Sequence, residues 1–285
     1  MYVGIYYNNK LFLTKNKRKA ALCINNKIYI SPLRKAFNNV IAKAPFPGAQ
    51  NMNSAKIYTI ILSAGTSSRF KKKINIDKQL YILNSKPIIN HSIDLFSKYS
   101  TVIVITNSKC KIESDKNPII LINDINDRLE SINTGLKYIN AQNAQNSQNA
   151  RVIIHDAARP FITDSYVKKL LKINRPFVQY FTKINNGLYK LYNKDSIIDR
   201  EDFIELCSPL CINIDFFNYI WNNFIYIGAP PIAYEFLQIF DLFYGHPDFK
   251  YKMIEGNSNI LRKITTYGDI PKIVWGPQNS LGPTK

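Results

Sequence analysis

The chain predicts an α/β fold, a mostly parallel twisted sheet flanked by helices, and three observations carry that prediction. Short β-branched runs at 57–62, 101–106, 118–122, 151–154 and 177–182 have the length of buried strands rather than of helices. Stretches with helical apolar spacing stand between several of them, so strands and helices alternate along the chain. Two polar loops, 63–70 and 155–161, each follow a strand directly. In an open parallel sheet such loops share one crevice at the carboxyl ends of the strands.

The first 55 residues stand apart as a basic leader in which little order is expected. Residues 1–76 hold 14 Lys or Arg and no Asp or Glu, so most of the net charge of +18 belongs to this end. The remainder has 24 basic and 20 acidic residues and is nearly neutral. A nucleic-acid binder concentrates its basic stripe on the folded body, among aromatics, and no such stripe is present, so no nucleic-acid partner is expected. The leader lacks the apolar core of a secretory signal. It reads as an organellar transit segment or as sequence ahead of a second initiator, Met52. Pro45-Phe46-Pro47-Gly48 breaks the chain before the domain at 56–270. No apolar run approaches the 18 or so residues of a membrane span, so no membrane partner is expected. The four cysteines, Cys23, Cys110, Cys207 and Cys211, lack zinc spacing and read as reduced thiols. The expected location is cytoplasmic, or a plastid-type organelle if residues 1–51 are a transit segment.

Within the domain, Ile57–Leu62 is the first strand. A small-residue loop, Ser63-Ala64-Gly65-Thr66-Ser67-Ser68, follows and ends at Arg69. Backbone N–H groups in such a loop can face phosphates, and Arg69 and Lys78 flank it as candidate cations. Lys71 to Lys73 read as a solvated face. Pro87 opens a helix through Phe96, on which His91 is a helix residue rather than a ligand. After the strands at 101–106 and 118–122, Leu129, Ile132, Leu136 and Tyr138 mark the apolar face of a helix over 128–139. The Asn/Gln/Ala-rich stretch 140–150 reads as a surface loop. Asp164 is expected to cap a helix over 165–173. Asn186-Gly187 signals a hairpin, so residues 183–200 are read as a protruding β-arm. Helices are expected over 216–225 and 232–243, a strand over 251–254, and an irregular tail over 271–285.

The chain is organised around His155-Asp156-Ala157-Ala158-Arg159-Pro160-Phe161. An Asp at a strand end can hold a metal or orient a substrate hydroxyl. The Ala pair lets a ligand approach the backbone, and Arg159 can pin either the loop or the ligand.

These residues resemble a known family, the 2-C-methyl-D-erythritol 4-phosphate cytidylyltransferases, over roughly 57–270. The stretch from His155 to Phe161 is the most specific match. Ser63-Ala64-Gly65 through Arg69 with Lys78-Gln79, Arg128 with Ser131, Asp199-Arg200, and Glu255-Gly256 with Asn259 and Lys263 are the others. The resemblance implies a nucleotidyltransferase fold with Rossmann-like character and an arm used for dimerisation. It implies transfer of CMP from CTP to 2-C-methyl-D-erythritol 4-phosphate, aided by Mg²⁺. The implied catalytic residues are Arg69, Lys78, Asp156 and Arg200. The implied nucleotide-binding residues are Ala64, Gly65, Arg69, Lys78, Arg128, Ser131, Ala158 and Lys263, with Asp156 at the metal. Arg200 would reach a neighbouring subunit's substrate phosphate, so a homodimer is implied.

The chain departs from the family pattern at Asp124 and Ile125 (where the family has glycines), at Asp77, at Ser208-Pro209-Leu210 and at Ala233-Tyr234-Glu235. These departures leave two alternatives, a ribitol-5-phosphate cytidylyltransferase and a degenerate, non-catalytic nucleotide-binding homologue.

Overall fold

The computed structural model describes residues 55–125, 127–142, 150–186, 199–218 and 251–270, together with the backbone of four short strands nearer the start. Those four form two antiparallel hairpins within the leader, β1 (Val3–Tyr7) with β2 (Lys10–Thr14) and β3 (Ala20–Ile24) with β4 (Lys27–Ser31).

The domain begins with β5 (Ile57–Leu62), a one-turn helix α1 (Ser68–Lys71), a 3₁₀ turn at Lys78–Leu80, and a small hairpin of β6 (Ile82–Leu83) and β7 (Lys86–Pro87). Then come α2 (Ile88–Phe96), β8 (Thr101–Thr106), β9 (Ile119–Ile122), α3 (Arg128–Gln142) and β10 (Arg151–Asp156). The chain continues with α4 (Asp164–Lys172), β11 (Phe177–Lys183), β12 (Ile204–Asn213) and β13 (Tyr251–Glu255).

Seven strands form one sheet in the order β13-β11-β12-β10-β5-β8-β9. All run parallel except β12, which is antiparallel to both neighbours. The mostly parallel sheet expected from the sequence is therefore present. Helices cover both faces. Ile132, Leu136 and Ile139 of α3 pack with Tyr58, Ile60 and Ile103 on one face. Ile89, Ile93 and Phe96 of α2 and Val167 and Leu170 of α4 pack with Ile61, Val104 and Ile153 on the other. The central parallel strands β5, β8 and β10 are buried on both faces, which is why they read as continuous apolar runs. Gly135 lets α3 lie close on β5, since a Cβ there would meet Ile60 Cδ1 at 2.7 Å.

From β5 the chain moves to β8 and β9 on one side, then returns to place β10 on the other side of β5. That reversal is a topological switch point, where the loops after the two central strands part and leave a crevice.

Five expectations need adjustment. The strand expected over 151–154 runs on to Asp156, so His155 and Asp156 lie in the sheet. Thr163, not Asp164, occupies the N-cap of α4; the Asp164 carboxylate accepts from the Tyr99 hydroxyl at 2.5 Å. The low-complexity loop is shortened at its start, because α3 extends to Gln142. The fourth is β12, which the sequence reading missed. The expected helix at 216–225 begins earlier, at residue 214, and is described to 218. The rest of that helix, the helix expected at 232–243, most of the arm (187–198) and the tail at 271–285 lie outside the described residues. On either side of residues 187–198, Lys183 pairs with Ile204. Among the described residues no helix is long and apolar enough to cross a membrane.

Candidate active site

The crevice at the switch point is an open cleft of about 190 Å³. Three chain segments build it. The first is the loop after β5. Ser63 N–H donates to Ile105 O at 2.8 Å, so the loop leaves the sheet in register with β8. Ser67 turns through a left-handed backbone conformation, φ 55°. Its hydroxyl donates to Gln79 Oε1 at 3.1 Å and accepts from Lys78 N–H at 3.1 Å. Buried Gln79 donates through Nε2 to Ser63 O and to Cys110 Sγ, both at 3.2 Å. The amide thus fastens the loop to the segment that carries Lys78. Neither Ser67 nor Gln79 was a candidate site residue, although Gln79 stands beside Lys78 in the matched motif. An interior packing of Phe70, Leu83, Ile88 and Ile264 supports the loop from below.

The second segment is the start of α3. The Asp127 carboxylate accepts from Glu130 N–H at 2.9 Å, capping the helix. Arg128 is the first helical residue. The Ser131 hydroxyl is turned back to donate to Asp127 O at 2.8 Å. The positive end of the helix dipole therefore opens on the cleft, where it favours an anion.

The third is the end of β10 and the turn after it. Lys263 Nζ lies 3.0 Å from Asp156 Oδ2, Arg128 Nη2 3.6 Å from Oδ1, and Arg159 Nε 3.4 Å from Oδ2. Arg159 is buried and also donates through Nη1 to Leu261 O. Ile264 N–H donates to Ala158 O at 2.8 Å. These two contacts draw the segment carrying Lys263 against the turn.

Charge dominates the site. Burial alone would raise the Asp156 pKa, but Lys263, Arg128 and Arg159 outweigh it and hold the carboxyl well below its usual range. Burial first, then Lys263 and Arg69, bring Lys78 down to about 8, with Asp156 opposing them. A cluster with more cations than carboxylates suits a polyanion.

Eight candidates line this one cleft: Ala64, Gly65, Lys78, Arg128, Ser131, Asp156, Ala158 and Lys263. Arg69 is exposed on α1 outside the lining, close enough to Lys78 to influence its charge. Phe70, the next residue, is anchored in the core and leaves Arg69 pointing outward. Arg200 is also exposed, in a 3₁₀ turn at Arg200–Asp202, with Nη1 3.4 Å from Asn185 O. Among the described residues no group of three or more His, Cys, Asp or Glu could hold a metal alone. The single carboxylate of Asp156 fits a Mg²⁺ ion that takes its other ligands from phosphates and water.

The family model for 2-C-methyl-D-erythritol 4-phosphate cytidylyltransferase matches residues 57–182. The enzyme of that name from Clostridium botulinum type F is 30% identical over 175 residues, covering 56% of this chain and 73% of that protein. The one from Bifidobacterium longum is 28% identical over 138 residues, 45% of this chain and 46% of that protein. A bifunctional IspD/IspF enzyme of Pelagibacter ubique is 31% identical over 173 residues, 58% of this chain and 45% of its own length. The matched stretch thus spans about half of these last two relatives. Among solved structures, the 4-diphosphocytidyl-2C-methyl-D-erythritol synthase of Anaerococcus prevotii shares the fold with a TM-score of 0.59 and 19% identity, over 77% of this chain and 97% of that one. The chain belongs to the 2-C-methyl-D-erythritol 4-phosphate cytidylyltransferase family.

Proposed function

We propose that the protein transfers CMP from CTP to 2-C-methyl-D-erythritol 4-phosphate and releases pyrophosphate. The observation that carries this reading is the cation-lined cleft at the switch point, with Lys78, Lys263 and Arg128 around Asp156. In the reaction a phosphate oxygen of the acceptor forms a bond to the α-phosphorus of CTP, and the bond from that phosphorus to the β-phosphate oxygen breaks. The attacking phosphate is already anionic, so no general base is needed. The protein's work is to hold the two phosphate groups in line and to offset the charge that builds between them.

Lys78 and Lys263, with Arg69 from the rim, are assigned to the triphosphate. The backbone of Ala64, Gly65 and Ala158 and the start of α3 at Arg128 and Ser131 are assigned to the nucleotide. Asp156 would hold Mg²⁺, which when bound supplies further neutralisation of phosphate charge. Arg200 lies outside the cleft of its own chain, and we assign it to the acceptor phosphate in a partner copy within a homodimer. A reducing, cytoplasmic setting suits the free, buried Cys110, Cys207 and Cys211.

The test is pyrophosphate release by the purified protein with CTP, Mg²⁺ and 2-C-methyl-D-erythritol 4-phosphate. Activity is expected with this acceptor and little with ribitol 5-phosphate. No release with either acceptor would overturn the reading.

A further inference from the structure

His155 is fully buried, with its ring centroid 4.9 Å from that of Phe96. It touches no face of the cleft, and the reaction assigns it no role. Its hydrogen bonds nonetheless reach both ends of the Asp156–Arg159 turn. Nε2 lies 3.2 Å from the Arg159 carbonyl and 3.1 Å from Ser92 Oγ. Nδ1 lies 3.4 Å from Ser208 Oγ, and that hydroxyl accepts from Asp156 N–H at 3.0 Å.

The local sheet geometry explains why a side chain is needed here. Backbone pairing of β10 with β12 stops at Ile154↔Leu210. Ser208 and Pro209 fall in a bulge, since β11 pairs Gln179 with Leu210 and then Tyr180 with Cys207. Continued pairing would put Asp156 opposite Ser208. The bulge withdraws the main chain there, and the Ser208 hydroxyl replaces a carbonyl as acceptor for Asp156 N–H.

The proton positions then follow. A carbonyl can only accept, so Nε2 carries hydrogen toward Arg159 O. A neutral ring has one N–H, so Nδ1 is bare and Ser208 donates to it. A doubly protonated ring would put a second proton and a charge on a fully buried group, which burial opposes.

We propose that His155, held as its Nε2–H tautomer, and Ser208 are positioning residues that fix the Asp156–Arg159 turn. The hydrogen bonds run from Asp156 N–H to Ser208, from Ser208 O–H to Nδ1, and from Nε2–H to Arg159 O. Both ends of the turn are tied to one ring, and the carboxylate of Asp156 is aimed by its own backbone. The effect on catalysis rests on the cytidylyl transfer proposed above; the tautomer does not.

The experiment combines long-range ¹H–¹⁵N spectra with kinetics. The chain has three histidines, so assignment is simple. At neutral pH the wild-type His155 ring is expected to show a protonated Nε2 and a bare Nδ1. In Ser208→Ala the Nδ1 signal and the Asp156 amide should both shift. The kcat should fall about tenfold, the scale of removing support from a ligand carboxylate, with the KM for CTP within about twofold. Ser208→Thr, which keeps the hydroxyl, should restore the signals and the rate. A protonated Nδ1 in the wild-type protein would overturn the proposal, as would unchanged kcat in Ser208→Ala. If the wild-type protein proves inactive, the reaction assignment fails separately. The ring and Asp156 amide signals then decide this inference on their own.

Discussion

Lys78 holds its charge where burial and two neighbouring cations oppose it, with a pKa near 8. Two consequences can be measured. If Lys78 contacts triphosphate as an ammonium, nucleotide affinity of the free protein should fall as pH rises through about 8. Lys78→Arg, whose charge persists, should abolish that fall. Stability should respond in the opposite sense. The unfolded chain keeps the Lys78 proton up to about 10.5, whereas the folded chain loses it near 8. This group therefore adds stability as pH rises between those values and opposes folding below them. Lys78→Met should accordingly raise the melting temperature at pH 7 by roughly 2–4 °C, while lowering turnover by about 10². An unchanged turnover would remove Lys78 from the phosphate contacts. Arg69→Ala should reduce turnover by a similar factor of about 10² if it reaches phosphate from the rim; an unaltered rate would leave it a surface residue.

The elements differ in how openly the sequence declared them. β5, β8 and α2 were legible because their apolar periods are unbroken. β12 was not, because Pro209 breaks its pattern and Pro argues against an interior strand. The bulge against β11 resolves the conflict, since Ser208 and Pro209 need no ladder partner there. Asp156 and Arg159 could be picked out as a strand-end pair. The contacts that hold them could not, because Ser208 lies 52 residues from Asp156 and Lys263 lies 107 away. Gln79 was hidden for another reason: an amide beside a lysine carries no chemical signature until its partners Ser63 and Ser67 are seen. The seating of α3 on β5 makes its own prediction. Gly135→Val would drive a branched side chain into Ile60 and should destabilise the domain by about 2–3 kcal/mol. It should also weaken nucleotide binding, because α3 carries Arg128 to the cleft. Wild-type stability in this variant would mean that Ile60 moves aside freely.

At the scale of the whole molecule, the direction of β12 determines from which side of the sheet the chain leaves at Lys183 and returns at Ile204. β11 runs parallel to the central strands and ends on the cleft's side of the sheet, and antiparallel β12 starts from that same side. Arg200 thus stands at the rim of the sheet that bears the cleft, yet outside the cleft of its own chain. If it serves a partner copy, an Asp156→Asn chain mixed with an Arg200→Ala chain should recover activity. Half of the dimers would be mixed and half of their sites intact, giving about a quarter of the wild-type rate. Two inactive variants that stay inactive after mixing would restrict each site to a single chain.

The contact between Lys263 and Asp156 also has a consequence for the order in which the protein is made. Asp156 leaves the ribosome 107 residues before its closest cation. At ordinary synthesis rates that interval lasts roughly 5–20 s. Through it the nascent chain can have the central strands and Arg128 in place, while the segment that brings Lys263 to the cleft is missing. Ability to hold a polyphosphate is therefore gained last, after most of the sheet can already have formed. A nucleotide added to a translating ribosome would stabilise the chain only once the segment bearing Lys263 had emerged.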